Sequence, residues 1–219
     1  MLTQSQIIYG LAYGSLLSIL IPIAVGLSTW HYQSKPLRFF VLGLVGYFSV
    51  FLFSMILRWL KITNTMSEYL SSANDIIFFS ACFGLAVKSK VRRYIIFTIG
   101  SISLLSLLVG PLLLKYYSVD AASVSLESIA VSIIVYIYLD ELIRTTQSVS
   151  LWHVPLFWIA LAKLSVTVVG FPYSIFKDQL NKYNVALSLK ILLFTYGLYI
   201  LCNIVFAMGL WRSKKYPMK

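Results

Sequence analysis

Seven apolar stretches of about twenty residues, separated by short polar or basic links, constrain this chain more than any other feature. They fall near 7–29, 38–60, 68–87, 94–114, 122–143, 152–174 and 184–210. A membrane-crossing helix needs ~20 predominantly apolar residues, and a backbone in lipid must satisfy its own hydrogen bonds. The runs are continuous and lack the alternating ten-residue segments of a membrane barrel. The sequence therefore predicts an all-α polytopic membrane protein, with seven transmembrane helices in a single domain over 1–219. Charged residues make up 11% of the chain, against ~25% in a soluble domain. Seven spans use most of the length, so a fused soluble kinase or enzyme module is not expected. Any output must come from the bundle or from a partner chain. No internal repeat is evident, so an inverted-repeat transporter is not favoured.

The first run follows MLTQSQ, which has no positively charged region and is not followed by a small-residue cleavage pattern. It reads as a retained first helix, kinked at Pro22. The net charge of +11 does not indicate nucleic acid, because the basic residues punctuate the ends of apolar runs. With the amino terminus outside, the inner side holds Lys35, Arg38, Lys88, Lys90, Arg92, Arg93, Arg144, Arg212, Lys214, Lys215 and Lys219. The outer side holds Arg58, Lys61, Lys115, Lys177 and Lys182. That asymmetry sets the amino terminus outside and the carboxyl terminus inside. Trp30, Trp152 and Trp211 at inner ends and Trp59 at an outer end suit interfacial anchors. Cys82 and Cys202 lie within apolar runs and read as small packing residues, with no disulfide or zinc spacing.

Ionisable residues inside the runs are the candidates for function, because charge in a bilayer is costly and needs a partner or a task. Lys163 lies at the middle of the sixth run. Counting from the expected outer ends, Asp75 lies ~10 Å deep in the third run, Glu127 ~8 Å deep in the fifth and Lys190 ~9 Å deep in the seventh. Lys163 is deeper, but its long stem can snorkel towards the same level. Asn74, Ser71, Ser72, Ser123, Ser128, Thr167 and Ser188 add polar groups nearby. Asp75, Glu127, Lys163, Lys190, Asn74 and Thr167 are thus expected to line an outward-opening polar cavity for a small ligand or ion. Two carboxylates would balance two lysines there, and internal ion pairs that set helix register are equally consistent with the pattern. At the inner end of the fifth run, Asp140 and Glu141 lie beside Arg144, as a helix end with local countercharge. His31 and His153 are also at inner ends, but their spacing matches no metal motif. No catalytic motif is present, so neither an enzyme nor a cofactor is indicated.

A lysine in the last helix and an aspartate in the third invite comparison with retinal-binding rhodopsins. The microbial pattern places an aspartate four residues before its lysine, and here position 186 is Ala. No tryptophan flanks Asp75 to wall a retinal pocket, and a retinal protein is disfavoured. From Tyr138 to Lys215 the chain instead resembles a group of small, uncharacterised bacterial inner-membrane proteins. The matching features are Glu141-Leu142, then Pro155-Leu156-Phe157-Trp158, then Cys202-Asn203-Ile204 through Gly209-Leu210-Trp211-Arg212. The resemblance implies a multi-pass protein of the bacterial inner (cytoplasmic) membrane, with seven helices and the amino terminus outside. It also implies an association with bacterial signalling systems, and it supplies no ligand or catalytic residue. Together these features predict a membrane sensor or accessory signalling protein, in contact with the lipid bilayer and acting through a partner on the cytoplasmic side. A transporter or proton-conducting protein using the same charges, and a structural subunit of a larger complex, are the alternatives.

Overall fold

A computed structural model describes residues 4–61, 65–113, 119–146 and 150–215. Lys115 and Lys219 of the charge asymmetry lie outside the described residues, as do the side chains of Arg58, Ser123 and Lys177. Among the described residues the chain forms eight α-helices and no strand. They are α1 (Gln4–Leu17), α2 (Leu20–Ser28), α3 (Lys35–Trp59), α4 (Thr65–Ala86), α5 (Lys90–Leu113), α6 (Val119–Thr145), α7 (Pro155–Tyr183) and α8 (Val185–Arg212). Among the described residues six stretches are long and apolar enough to cross a membrane: Gly10–Ser28 (across α1 and α2), Lys35–Leu57, Tyr69–Ala86, Lys90–Val109, Pro155–Phe176 and Val185–Arg212. The expected fifth span, 122–143, is helical as part of α6. It is not among those six, and Glu127, Asp140, Glu141 and Arg144 lie within that helix.

The outer surface supports a membrane setting. Ile102, Leu105 and Leu108 on α5, and Phe194 and Leu201 on α8, are all exposed. Water-facing helices seldom present such rows, whereas lipid covers them at no cost.

The first run is broken, though not at Pro22. The helix is interrupted at Ser18–Ile19, one turn earlier. A proline ring clashes with the carbonyl four residues before it, here that of Ser18. That carbonyl instead accepts from Ile21 at 3.1 Å, and Ile19 turns its N–H to Leu16 at 3.4 Å. The carbonyl of Ser15 is released from the usual helical pattern. It accepts from the Ser18 hydroxyl at 2.6 Å and from Asn203 Nδ2 at 3.4 Å. Asn203 also donates to Ser18 Oγ at 2.7 Å, so α8 closes the polar gap that the proline opens.

Other helix boundaries have local causes. Pro155 starts α7 at a position where its missing N–H is not needed. Asn184 caps α8 by accepting from the Leu187 N–H at 3.0 Å. α7 continues past the expected end near 174 to Tyr183, with Pro172 inside it.

In space α2, α3, α4, α6, α7 and α8 each pack on the next, and α8 returns to α2, closing a ring. α1 rests on α8, and α5 lies outside against α4 and α6. The interior carries a row of rings: Phe206 of α8 meets Phe40 of α3 at 5.0 Å, and Phe40 meets Phe79 of α4 at 5.9 Å. Phe79 meets Phe83 at 5.9 Å, and Phe83 meets Tyr138 of α6 at 4.9 Å. Close approach of α3 and α4 depends on glycine. A Cβ at Gly43 would collide with Phe78, and one at Gly46 with the Asn74 amide.

Candidate functional site

The charged site forms where three helix faces meet inside this ring. On α4, Ser72, Asp75 and Phe79 are three and four residues apart and share one side. On α6, Glu127, Val131, Ile134, Tyr138 and Glu141 follow alternating steps of four and three and make a single buried stripe. On α7, Leu156, Ile159, Lys163 and Val166 form the matching inward face. A lysine and two acids are therefore placed inward by the same periodicity that places their apolar neighbours inward.

Lys163 Nζ donates to Asp75 Oδ2 at 2.6 Å and to Glu127 Oε1 at 3.2 Å. The second oxygen of each carboxylate has a neutral donor. Ser72 Oγ donates to Glu127 Oε2 at 3.2 Å. Asn74 Nδ2 donates to Asp75 Oδ1 at 3.4 Å and to the Gly43 carbonyl at 3.0 Å. The ammonium also stands 4.7 Å from the centre of the Phe79 ring, the middle member of the aromatic row. Lys163 is 8% exposed, and the two carboxylate side chains are 15% exposed. The cluster is nearly closed by protein.

Depth explains the convergence. α4 begins at Thr65, earlier than the expected Glu68, which sets Asp75 ~15 Å along its helix. Lys163 is ~12 Å from the start of α7 at the other end of the bundle. In a hydrocarbon layer ~30 Å thick the two positions meet near the middle.

The remaining expected site residues divide. Asn74 belongs to the triad's surroundings. Thr167 donates to the Lys163 carbonyl at 2.5 Å, within its own helix. Lys190 is exposed near the start of α8, and among the described residues it pairs with neither acid. The balance of two lysines against two carboxylates is thus replaced by two carboxylates on one lysine. α8 packs chiefly on α7, α2 and α1, which leaves Lys190 on the outside of the ring. Residues that escaped sequence reasoning are Phe79, under the ammonium, and Tyr47 of α3 and Tyr199 of α8, within electrostatic reach of all three charges. Phe79 stands one turn from Asp75, which was a usable signal. The tyrosines come from helices whose rotation the sequence does not reveal.

A second charged group lies at the end of the bundle that holds the α4–α5 turn. Glu141 Oε1 accepts the backbone N–H groups of Lys88 at 2.6 Å and Ser89 at 3.2 Å, in the turn between α4 and α5. Arg92 pairs with Asp140 at 2.7 Å, and Arg144 pairs with Asp140 at 2.9 Å. Arg93 donates to the carbonyls of Gly84 at 3.1 Å and Val87 at 2.9 Å, covering the end of α4. On α7 and α8, Arg212 stacks on the Trp158 ring at 4.7 Å and donates to the Trp152 carbonyl. His31 and His153 sit in separate one-turn helices. Cys82 and Cys202 are free and buried.

An ammonium shared by two acids, each with its own neutral donor, is suited to docking α7 on α4 and α6 and to exchanging an ion. It is not arranged for nucleophilic attack, where a lysine acts as a free amine. Comparison with family models, with curated proteins and with solved structures finds no match to this chain.

Proposed function

We propose that the chain is a membrane sensor or accessory signalling protein whose switch is the triad of Lys163, Asp75 and Glu127. In this reading α6 is the fifth of seven spans, the amino terminus is outside, and the membrane is the bacterial inner membrane that the resemblance implies. One observation carries the proposal: a single buried ammonium on α7 holds carboxylates from both α4 and α6. Releasing either acid changes what α7 grips, and α7 carries α8 with it through their long shared interface. Two packings with different ion partners are the minimum a two-state element requires. The exposed Lys35, Lys88, Lys90, Lys214 and Lys215 then present a basic inner face to a cytoplasmic partner.

The test is a distance measurement between spin labels at two exposed inner positions, Lys88 and Lys214, in lipid nanodiscs. Lys163→Gln is expected to shift or broaden the distribution relative to the unsubstituted chain. Identical distributions, together with unchanged association with cytoplasmic-side proteins, would end the switch reading.

A second reading, a transporter or proton-conducting protein, is favoured by the excess of acid over base in the triad. The near closure of the cluster favours the switch over a conducting path. Potential- or pH-driven flux in liposomes would reverse that order. A purely structural subunit would instead copurify in fixed stoichiometry with a larger complex and show no change of packing on Lys163→Gln.

A further inference from the structure

The triad contains one base and two acids. Both carboxylates contact the same Nζ, which brings them within about 6 Å of each other. Two carboxylates at that separation, with one ammonium and little solvent, leave one negative charge uncompensated in a medium where charge is costly. Something must compensate it. Among the described residues the groups around the triad supply no second cation. Asp75 of α4, Glu127 of α6 and Lys163 of α7 make up the triad, and Tyr47 of α3 and Tyr199 and Cys202 of α8 lie within electrostatic reach of it. Among the described residues Lys163 is the one cation paired with either acid.

The donors around the carboxylates decide between a metal cation and a proton. A hard cation requires several oxygen ligands. Here the bridging place between the acids is taken by Nζ, and the outer oxygens are met by the Asn74 amide N–H and by the Ser72 hydroxyl. A proton requires one oxygen only. The same donors also distinguish the two acids. Asn74 Nδ2 can only donate, and it meets Asp75, whose contact with Lys163 is the shorter at 2.6 Å. Ser72 can donate or accept, and it meets Glu127, whose contact is the longer at 3.2 Å. By turning its hydroxyl, Ser72 can accept from a protonated Glu127 with no other group moving.

We propose that Glu127 carries one exchangeable proton, donated to Ser72, while Asp75 remains the carboxylate partner of Lys163. The proton comes from water and returns to water, no covalent bond to carbon changes, and the triad is neutral while it is held. This rests on the reading of the triad as a switch, and it names the species that operates it. Losing the proton frees Glu127 to compete with Asp75 for Lys163, and regaining it returns Lys163 to Asp75.

The experiment is infrared difference spectroscopy of the full chain in nanodiscs across a pH titration, reading the C=O stretch of a protonated carboxylic acid. The band is expected in the unsubstituted chain, to disappear at high pH, and to be absent in Glu127→Gln, whose amide mimics the protonated acid and leaves a balanced Lys163–Asp75 pair. Thermal unfolding of Glu127→Gln is expected to lose the pH dependence of the unsubstituted chain. Ser72→Ala, which leaves all three ionisable side chains in place, is expected to keep the band and shift its frequency through loss of the hydrogen bond. The absence of a band in the unsubstituted chain, or its survival in Glu127→Gln, overturns the proposal. An unshifted band in Ser72→Ala overturns it equally. Replacing sodium by a bulky organic cation should change nothing, and stabilisation by sodium without an acid band would assign the site to a metal cation instead. A band that titrates in a bundle whose labelled inner ends do not move would retain the proton and end the switch.

Discussion

The triad inside the bundle and the charge cluster at the α4–α5 turn use the same residue types to opposite effect. At the turn, Arg92 and Arg144 meet Asp140, and Glu141 is engaged by two backbone N–H groups. Base and acid are matched, Arg144 is largely exposed, and the cluster closes a turn. In the triad, two acids share one base, and all three are enclosed. The difference is one of position. Near the headgroups, water and salt screen imperfect pairs, so each is worth little. In the middle of the bundle each unmatched charge is expensive, so an imbalance held there is a site able to respond.

The largest expected effect breaks the triad from its centre. Lys163→Met leaves two enclosed carboxyl groups without their cation and is expected to cost ~3–5 kcal/mol in equilibrium unfolding from mixed micelles. Adding Asp75→Asn and Glu127→Gln to the same chain should recover much of that loss, because the uncompensated charges are then gone. A cost near zero for Lys163→Met would place the triad in the same class as the cluster at the α4–α5 turn.

Glu141→Ala tests the cluster at the α4–α5 turn at its most buried member. It strips two N–H groups in the α4–α5 turn of their acceptor and is expected to cost about 1–3 kcal/mol. Hydrogen exchange at Lys88 and Ser89 should rise while exchange around Phe79 stays unchanged. Spread of the change to the triad would mean that the two regions are coupled.

A neutral tie between helices sharpens the contrast. Asn203→Ala removes the bond to Ser18 at the break before Pro22. Hydrogen bonds between membrane helices average ~0.6 kcal/mol, and a small loss of that order is expected by the same unfolding measurement. Arg144→Ala should have the least effect, with no measurable change in the melting temperature at moderate salt. A clear destabilisation that persists at high salt would contradict the exposed, screened character of that pair.

Much of this molecule was legible in the chain because the lipid environment demands long apolar runs and penalises charge inside them. Most expected spans end within a few residues of the observed helices. The break before Pro22 was foreseen but misplaced by one turn, because proline acts on the carbonyl four residues before it. The three partners Asp75, Glu127 and Lys163 were evident as ionisable residues inside apolar runs. Their pairing was not, since helix starts were needed to assign depth, and an error of three residues at α4 moves Asp75 by almost a turn. The alternating steps from Glu127 to Glu141 were also present in the sequence and mark both acids as inward-facing.

The sequence by itself determined a helical membrane protein with buried ionisable groups, since periodicity and composition act locally along each run. Only the tertiary structure decided that Lys190 stands outside and that Lys163 holds both acids. Which faces meet depends on how eight helices rotate and pack around one another, and those contacts join residues as far apart as Asp75 and Lys163.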